Sequence, residues 1–304
     1  MGKTALLFPG QGVQFVGMGK DLYTHFSEAK DIIDQTNAVL DCDLKSLMFE
    51  GPIETLTQTE NAQPAILAVS YAFYRLASRK TLTFSGTAGH SLGEYNALIA
   101  AEAITFQDAL ITVRERGRLM EEIGAKTKGT MAAILGLDEE RLKEVCLQAT
   151  DSGVVEIANY NCPGQLVISG EMSAVTKACD LAKKAGAKRA LKLNVSGAFH
   201  SSLLKEASDR LGEFLDGIML QKPLKDFYQN VSGDKESDPS IIRGCLKKQV
   251  SSPVKWEHSI RTMIADGYDS FIEIGPGTVL TGLVSQISKD VKRININTTA
   301  SIEP

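Results

Sequence analysis

The chain is 304 residues long, with 43% hydrophobic residues, 23% charged residues and a formal net charge of −4. That is enough chain for one large domain or two smaller ones, and the composition is ordinary for a soluble globular enzyme. The acidic balance argues against general nucleic-acid binding, no apolar run reaches membrane-spanning length, and cysteines at 42, 146, 162, 179 and 245 with no Cys-x-x-Cys suggest free thiols in a reducing compartment.

Met1-Gly2-Lys3-Thr4-Ala5 leads straight into a strand, with no signal-peptide apolar core, so the expected location is the cytoplasm. The strand, Lys3 to Phe8, ends at Pro9-Gly10-Gln11-Gly12. This turn is not a phosphate loop. A dinucleotide fingerprint from Gly10 requires glycine where Phe15 stands, and a Walker A motif from Gly12 requires lysine where Met18 stands. Amphipathic helices are expected over Asp21–Leu40 and Asn61–Ser78. Thr83 to Ala88 reads as extended, Leu92 to Glu102 as helix, and Phe106 to Ile123 as a further helix carrying Arg114, Arg116 and Arg118.

From Gly129 the pattern changes. Strands are expected at Thr130–Gly136, Val154–Ala158, Gln165–Ser169 and Arg189–Val195, with helices at Glu139–Ala149 and Met172–Ala185. Pro163-Gly164 joins the middle two strands. The order β-α-β-β-α-β is that of a ferredoxin-like unit. The α/β pattern then resumes with helix Ser202–Leu215, a strand near Phe227–Val231, helices from Ile241 and over Trp256–Asp266, and strand Ser270–Ile274. The expected fold is therefore α/β: an α/β-hydrolase-like large subdomain, 1–126 and 196–304, with an inserted ferredoxin-like small subdomain, 127–195. Such an insertion leaves a cleft between two lobes, where pockets tend to form.

Gly89-His90-Ser91-Leu92-Gly93 is a Gly-x-Ser-x-Gly run between the extended stretch and the helix. Strand, sharp turn and helix are the context of a nucleophile elbow, in which the glycines relieve crowding and the serine hydroxyl stands at a helix N-terminus. A serine hydroxyl is a weak nucleophile at neutral pH and requires a base. There are four histidines. His25 and His258 fall on amphipathic helices and read as surface residues. His90 adjoins Ser91 and is expected to shape the pocket. His200 follows the last strand of the insertion, on a loop facing the cleft, and is the expected base. No metal-ligand spacing is present.

Seven motifs occur in order: Phe8-Pro-Gly-Gln-Gly12, Gly89-His-Ser-Leu-Gly-Glu94, Val113-Arg-Glu-Arg-Gly117, Asn159-Tyr-Asn-Cys-Pro-Gly-Gln165, Ala198-Phe-His200, Gln249 with Pro253-Val-Lys-Trp256, and Ile274-Gly-Pro-Gly277. Together, over nearly the whole chain, they resemble the malonyl-CoA:acyl carrier protein transacylase family of acyltransferases. The resemblance implies that Ser91 attacks the malonyl thioester of coenzyme A and that His200 accepts its proton, with the Gln249 backbone carbonyl in place of a third carboxylate. It implies an oxyanion hole made by the N–H groups of Gln11 and Leu92, which would give the glycine turn its purpose. It further implies that Arg116 pairs with the malonyl carboxylate, with His90, Met120 and Phe199 around the substrate. Periodicity alone does not choose Arg116, since Arg114, Arg116 and Arg118 lie at intervals of about 200° on a helix. Ala198-Phe199 matches the form associated with malonyl selection, while Gly197 departs from the related form that carries histidine there.

The implied partners are malonyl-CoA and the acidic acyl carrier protein, with no cofactor beyond the coenzyme A thioester, no metal, no nucleic acid and no membrane. Lys188, Arg189 and Lys192, with Lys183-Lys184 and Lys247-Lys248, are candidates for a basic docking surface. Two other classes remain at this stage, an esterase or thioesterase using the same elbow and a non-catalytic acyl-binding scaffold. An acyltransferase of a polyketide pathway is the nearest variant.

Overall fold

The computed structural model describes residues 2–79 and 82–302; Met1 lies outside them. Among the described residues ten strands are formed: β1 (Lys3–Phe8), β2 (Gly86–Gly89), β3 (Gly129–Leu135), β4 (Val155–Cys162), β5 (Gln165–Glu171), β6 (Arg189–Lys192), β7 (Asp226–Tyr228), β8 (Lys235–Glu236), β9 (Tyr268–Ile274) and β10 (Lys292–Ile296). They make two sheets. The larger has the order β10-β9-β1-β2-β7-β8 and is parallel except for the short β8. The smaller has the order β4-β5-β3-β6 and is antiparallel throughout.

β1 shows why the larger sheet is interior. Its residues Ala5 to Phe8 are all buried, and successive side chains go to opposite faces. Leu6 and Phe8 join the core beneath the Thr59–Ser78 and Phe106–Thr127 helices, while Ala5 and Leu7 join a core with Trp256, Ile260 and Leu280. A parallel sheet covered by helices on both faces is the expected result of such an unbroken apolar strand.

The smaller sheet behaves differently. Ala132 and Ile134 of β3 pack under the Glu139–Ala149 and Met172–Lys184 helices, whereas Met131 on the same strand joins the core of the larger subdomain. One face is thus closed by its own helices and the other is turned towards the nucleophile-bearing lobe. In chain order the unit is β3, helix, β4, β5, helix, β6, matching the ferredoxin-like expectation.

Several elements depart from the sequence-based expectation. The span Asp21–Leu40 is two helices, Lys20–His25 and Ser27–Leu40, because Phe26 adopts an extended backbone (φ −129°, ψ 119°) between them. The Phe106–Thr127 helix runs four residues past Ile123, β4 runs to Cys162, and β6 stops at Lys192 rather than Val195. β8, β10 and the helices Leu44–Glu50, Ile53–Thr57, Val279–Ile287 and Thr299–Ile302 were not anticipated. No helix among the described residues is long and apolar enough to cross a membrane.

Candidate active site

β2 lies beside β1 with Phe8 opposite Gly89, and the His90 N–H donates to the Phe8 carbonyl at 3.0 Å. The chain then reverses through Ser91, whose φ of +51° is left-handed, and enters the Gly93–Ala100 helix. The glycines are required by contact. A Cβ on Gly89 would lie 1.9 Å from the Gly93 carbonyl carbon, and one on Gly93 would lie 2.0 Å from the Phe8 oxygen. The Pro9–Gly12 turn is equally close, since a Cβ on Gly10 would lie 2.6 Å from the His90 oxygen. His200 is also left-handed, with φ +59°. Each such non-glycine residue costs about 1–3 kcal/mol and persists where surrounding structure enforces it.

Ser91 Oγ lies 2.8 Å from His200 Nε2. On the other side of the ring, Nδ1 lies 2.8 Å from the Gln249 carbonyl and 3.2 Å from the Ser252 carbonyl. Two carbonyls can only accept, so Nδ1 carries the proton and Nε2 presents its lone pair to the serine hydroxyl. The imidazole is 4% exposed. Burial, and next the Arg116 charge, push its pKa down to about 3, so it is neutral and proton-accepting across the physiological range.

The structure separates the three arginines. Arg118 is an exposed ion-pair partner of Glu115 and Glu122. Arg114 donates to the Glu60 carbonyl at 2.7 Å and to Asn61 Oδ1 at 2.6 Å, bracing the start of the Thr59–Ser78 helix. Arg116 is 1% exposed and reaches the site. Its Nη1 donates to Gln63 Oε1 at 2.7 Å, and Nη2 donates to Gln249 Oε1 at 2.9 Å and Ser91 Oγ at 3.0 Å. These acceptors are all neutral, and the Nε–H has no acceptor among the described residues. A buried guanidinium so placed touches no carboxylate and is suited to one.

A cleft of about 330 Å³ opens over this pair, between the two sheets. Gln11, His90, Met120 and Phe199 all line it. His90 Nε2 lies 2.9 Å from Asn161 Oδ1 on β4, so this histidine joins the insertion to the elbow and does not reach Ser91 as a base. The backbone N–H groups of Gln11 and Leu92 have no acceptor among the described residues. Leu92 itself is wholly buried beneath the elbow. His25 and His258 are exposed, the first against the Asp21 carbonyl and the second beside Asp234. Among the described residues no cluster of His, Cys, Asp and Glu is placed to hold a metal.

Three buried polar residues at the site carry no role in the sequence-based reading: Gln63, Asn230 and Glu94, the last of which figures there only as the closing residue of the elbow motif. The available signal was a polar side chain inside an apolar stretch. Gln63 interrupts a helix whose neighbours Ala62 and Pro64 to Ser70 are all buried, and every residue of the Gly93–Ala100 helix is buried, Glu94 included. The basic residues are divided. Lys188, Arg189 and Lys192 are exposed on or beside the edge strand β6, whose continuation, Leu193 to Val195, lines the cleft. Lys183 and Lys184 are also exposed. Lys247 is partly buried, its stem packed where it would meet a Cβ on Gly212, and Lys248 is exposed.

A neutral base against a serine hydroxyl, with a cation beside it, defines a serine enzyme of acyl chemistry, a transferase or a hydrolase. Residues 5–301 match the family model for the acyl transferase domain, and the chain belongs to that family. Among its relatives is the malonyl CoA-acyl carrier protein transacylase of Bacillus subtilis, 48% identical over 304 residues, covering 100% of this chain and 96% of that protein. The crystal structure of an acyl carrier protein S-malonyltransferase from Vibrio cholerae superposes with a TM-score of 0.95 at 41% identity, covering 99% of each chain. A malonyl-transacylase solved in complex with its type II PKS acyl-carrier protein superposes at 0.96 with 40% identity, covering 99% of this chain and 97% of that one.

Proposed function

We propose that this protein transfers a malonyl group from malonyl-CoA to the phosphopantetheine thiol of acyl carrier protein, by a ping-pong reaction through malonyl-Ser91. The observation that carries the reading is Arg116: a buried cation, hydrogen-bonded to neutral groups and 3.0 Å from the nucleophile, which a malonyl carboxylate would complete.

In acylation, Ser91 Oγ attacks the thioester carbonyl while His200 Nε2 takes the hydroxyl proton. The carbonyl π electrons move to oxygen, and the N–H groups of Gln11 and Leu92 hold the resulting oxyanion. One such donor contributes about 3–4 kcal/mol in the transition state. Collapse breaks the C–S bond, and His200 returns the proton to the departing coenzyme A thiolate. The pantetheine thiol of the carrier protein then repeats the sequence in reverse, giving its proton to His200 and displacing Ser91. These steps use no cofactor beyond the thioester. The cleft lies between the lobes taken as 1–126 with 196–304 and 127–195. All five cysteines are free thiols, which supports the cytoplasm as the place of reaction.

The test is intact-protein mass spectrometry. Malonyl-CoA alone adds one malonyl group, mapped to Ser91, and phosphopantetheinylated carrier protein removes it. Label on a cysteine, or none on folded protein, overturns the reading. A polyketide carrier protein as acceptor is a second reading, favoured by the likeness to the structure solved with such a partner. Competition between the two kinds of carrier protein for malonyl-Ser91 decides between them.

A further inference from the structure

The left-handed Ser91 is held from both sides by side-chain amides that come from distant parts of the chain. Its N–H donates to Asn230 Oδ1 at 2.7 Å, and its carbonyl accepts from Gln249 Nε2 at 2.9 Å. Asn230 follows β7 and Gln249 ends the Pro239–Gln249 helix. Asn230 Nδ2 also donates to the Gly89 carbonyl at 2.7 Å, so one amide spans the turn from Gly89 to Ser91.

Both amides are fixed by one carboxylate. Glu94 Oε1 accepts from the Asn230 backbone N–H at 3.0 Å, and Glu94 Oε2 accepts from Gln249 Nε2. Glu94 is 1% exposed and makes no direct ion pair among the described residues; the cation it feels, Arg116, is set back on the far side of the Gln249 amide. Both of its contacts are N–H donors, which a carboxylate answers with two acceptors and a carboxamide with only one. Gln249 carries the constraint outward. Its Oε1 accepts from Arg116 at 2.9 Å and its backbone oxygen lies 2.8 Å from His200 Nδ1.

We infer that Glu94 and Asn230 are positioning residues for the reaction: with Gln249 they hold the Ser91 peptide in its left-handed turn and align nucleophile, base and arginine from behind, without touching substrate. A Glu94→Gln exchange keeps the volume but turns an N–H donor towards the N–H donor of Gln249 or Asn230. Asn230→Ala leaves the carboxylate in place and removes the acceptor of the Ser91 N–H.

The inference rests on Ser91 and His200 being nucleophile and base, not on malonyl being the acyl group. Two rates are therefore measured on the full chain: acylation by malonyl-CoA, and labelling of Ser91 by a fluorophosphonate, which reads the serine whatever the acyl preference. For Glu94→Gln and Asn230→Ala we expect both rates to fall on the order of a hundredfold, with KM for malonyl-CoA close to the wild-type value and thermal unfolding still cooperative. Loss of binding with the reaction rate intact, or folded variants that react as fast as wild type with both reagents, overturns the positioning role. A wild-type protein that takes the fluorophosphonate on Ser91 but no malonyl group refutes the proposed substrate and leaves this test in force. Should Glu94→Gln fail to fold, Asn230→Ala carries the same test.

Discussion

Arg116 Nη2 donates to Ser91 Oγ at 3.0 Å, so the cation expected to hold the acyl group's carboxylate already touches the nucleophile. The same hydroxyl lies 2.8 Å from His200 Nε2. Acyl selection and serine activation therefore share a single oxygen.

Arg116→Ala removes the partner of the malonyl carboxylate. Stranding one member of a buried charge pair costs about 3–5 kcal/mol, a loss of roughly a hundred- to several-thousand-fold for malonyl-CoA. Acetyl-CoA has no carboxylate to strand, so its transfer is expected to hold or rise. Steady-state kinetics with both thioesters check this, and equal losses would make Arg116 structural. Arg114→Ala is the control: its hydrogen bonds to Glu60 and Asn61 predict a change in stability with the malonyl-to-acetyl ratio unchanged.

His200→Ala is expected to lower the acylation rate by at least about 10³-fold while the protein remains folded, because base and nucleophile act as a unit. His258→Ala is expected to be silent, since an exposed pair such as His258–Asp234 contributes about 0–1 kcal/mol. Single-turnover acylation of both variants decides it, and the reverse pattern would overturn His200 as the base.

The buried imidazole also leaves a signature in stability. Its folded pKa of about 3 lies below the ordinary 6.5, so its contribution is fully present above pH 6.5 and is lost as pH falls towards 3. Relative to His200→Gln, wild type is expected to lose about 2–3 kcal/mol of unfolding free energy between pH 7 and pH 4.5. Glu94 runs the other way. Burial raises its carboxyl to about 7, so its contribution is present below pH 4.5 and lost as pH rises to 7; it occurs in both proteins and cancels in the difference. Urea unfolding at the two pH values provides the numbers. A gap that does not change with pH would mean that the folded imidazole titrates at its ordinary value.

Charge reversal at Lys188 and Arg189 tests the docking surface. Both are exposed at the edge strand that continues into the cleft wall. KM for carrier protein is expected to rise about tenfold and its salt dependence to flatten, while acylation by malonyl-CoA is unchanged. Transfer kinetics like those of wild type would mark the patch as a solvated face.

The elbow, the base and the inserted unit were legible because their signals are local. Gly89 to Gly93 spans one turn, His200 closes the Ser196–His200 segment in the loop that leaves the insertion, and the insertion alternates apolar residues with period two and then three to four. The roles of Gln63, Glu94 and Asn230 are not legible because their partners lie far along the chain: Arg116, Gln249 and Ser91 are separated from them by 53, 155 and 139 residues respectively. The choice of Arg116 over Arg114 belonged to the family resemblance, since all three arginines occupy one helix. The break at Phe26 is hidden in the sequence for another reason. A single extended residue divides two helices without disturbing the apolar period on either side.

The backbone that orients the base is itself fastened to the insertion. Gln249 and Ser252 supply the carbonyls at His200, and Val254 just beyond them exchanges hydrogen bonds with Ala158 and Tyr160 of β4, both at 2.9 Å. On the same strand Glu156 accepts from the Ser202 N–H and hydroxyl, each at 2.8 Å, two residues past the base. The small lobe is therefore a brace for the proton-transfer machinery as well as a wall of the cleft. A chimaera that grafted a relative's small lobe to alter acyl preference would also reset the histidine, unless residues 249–254 and Ser202 were grafted with it.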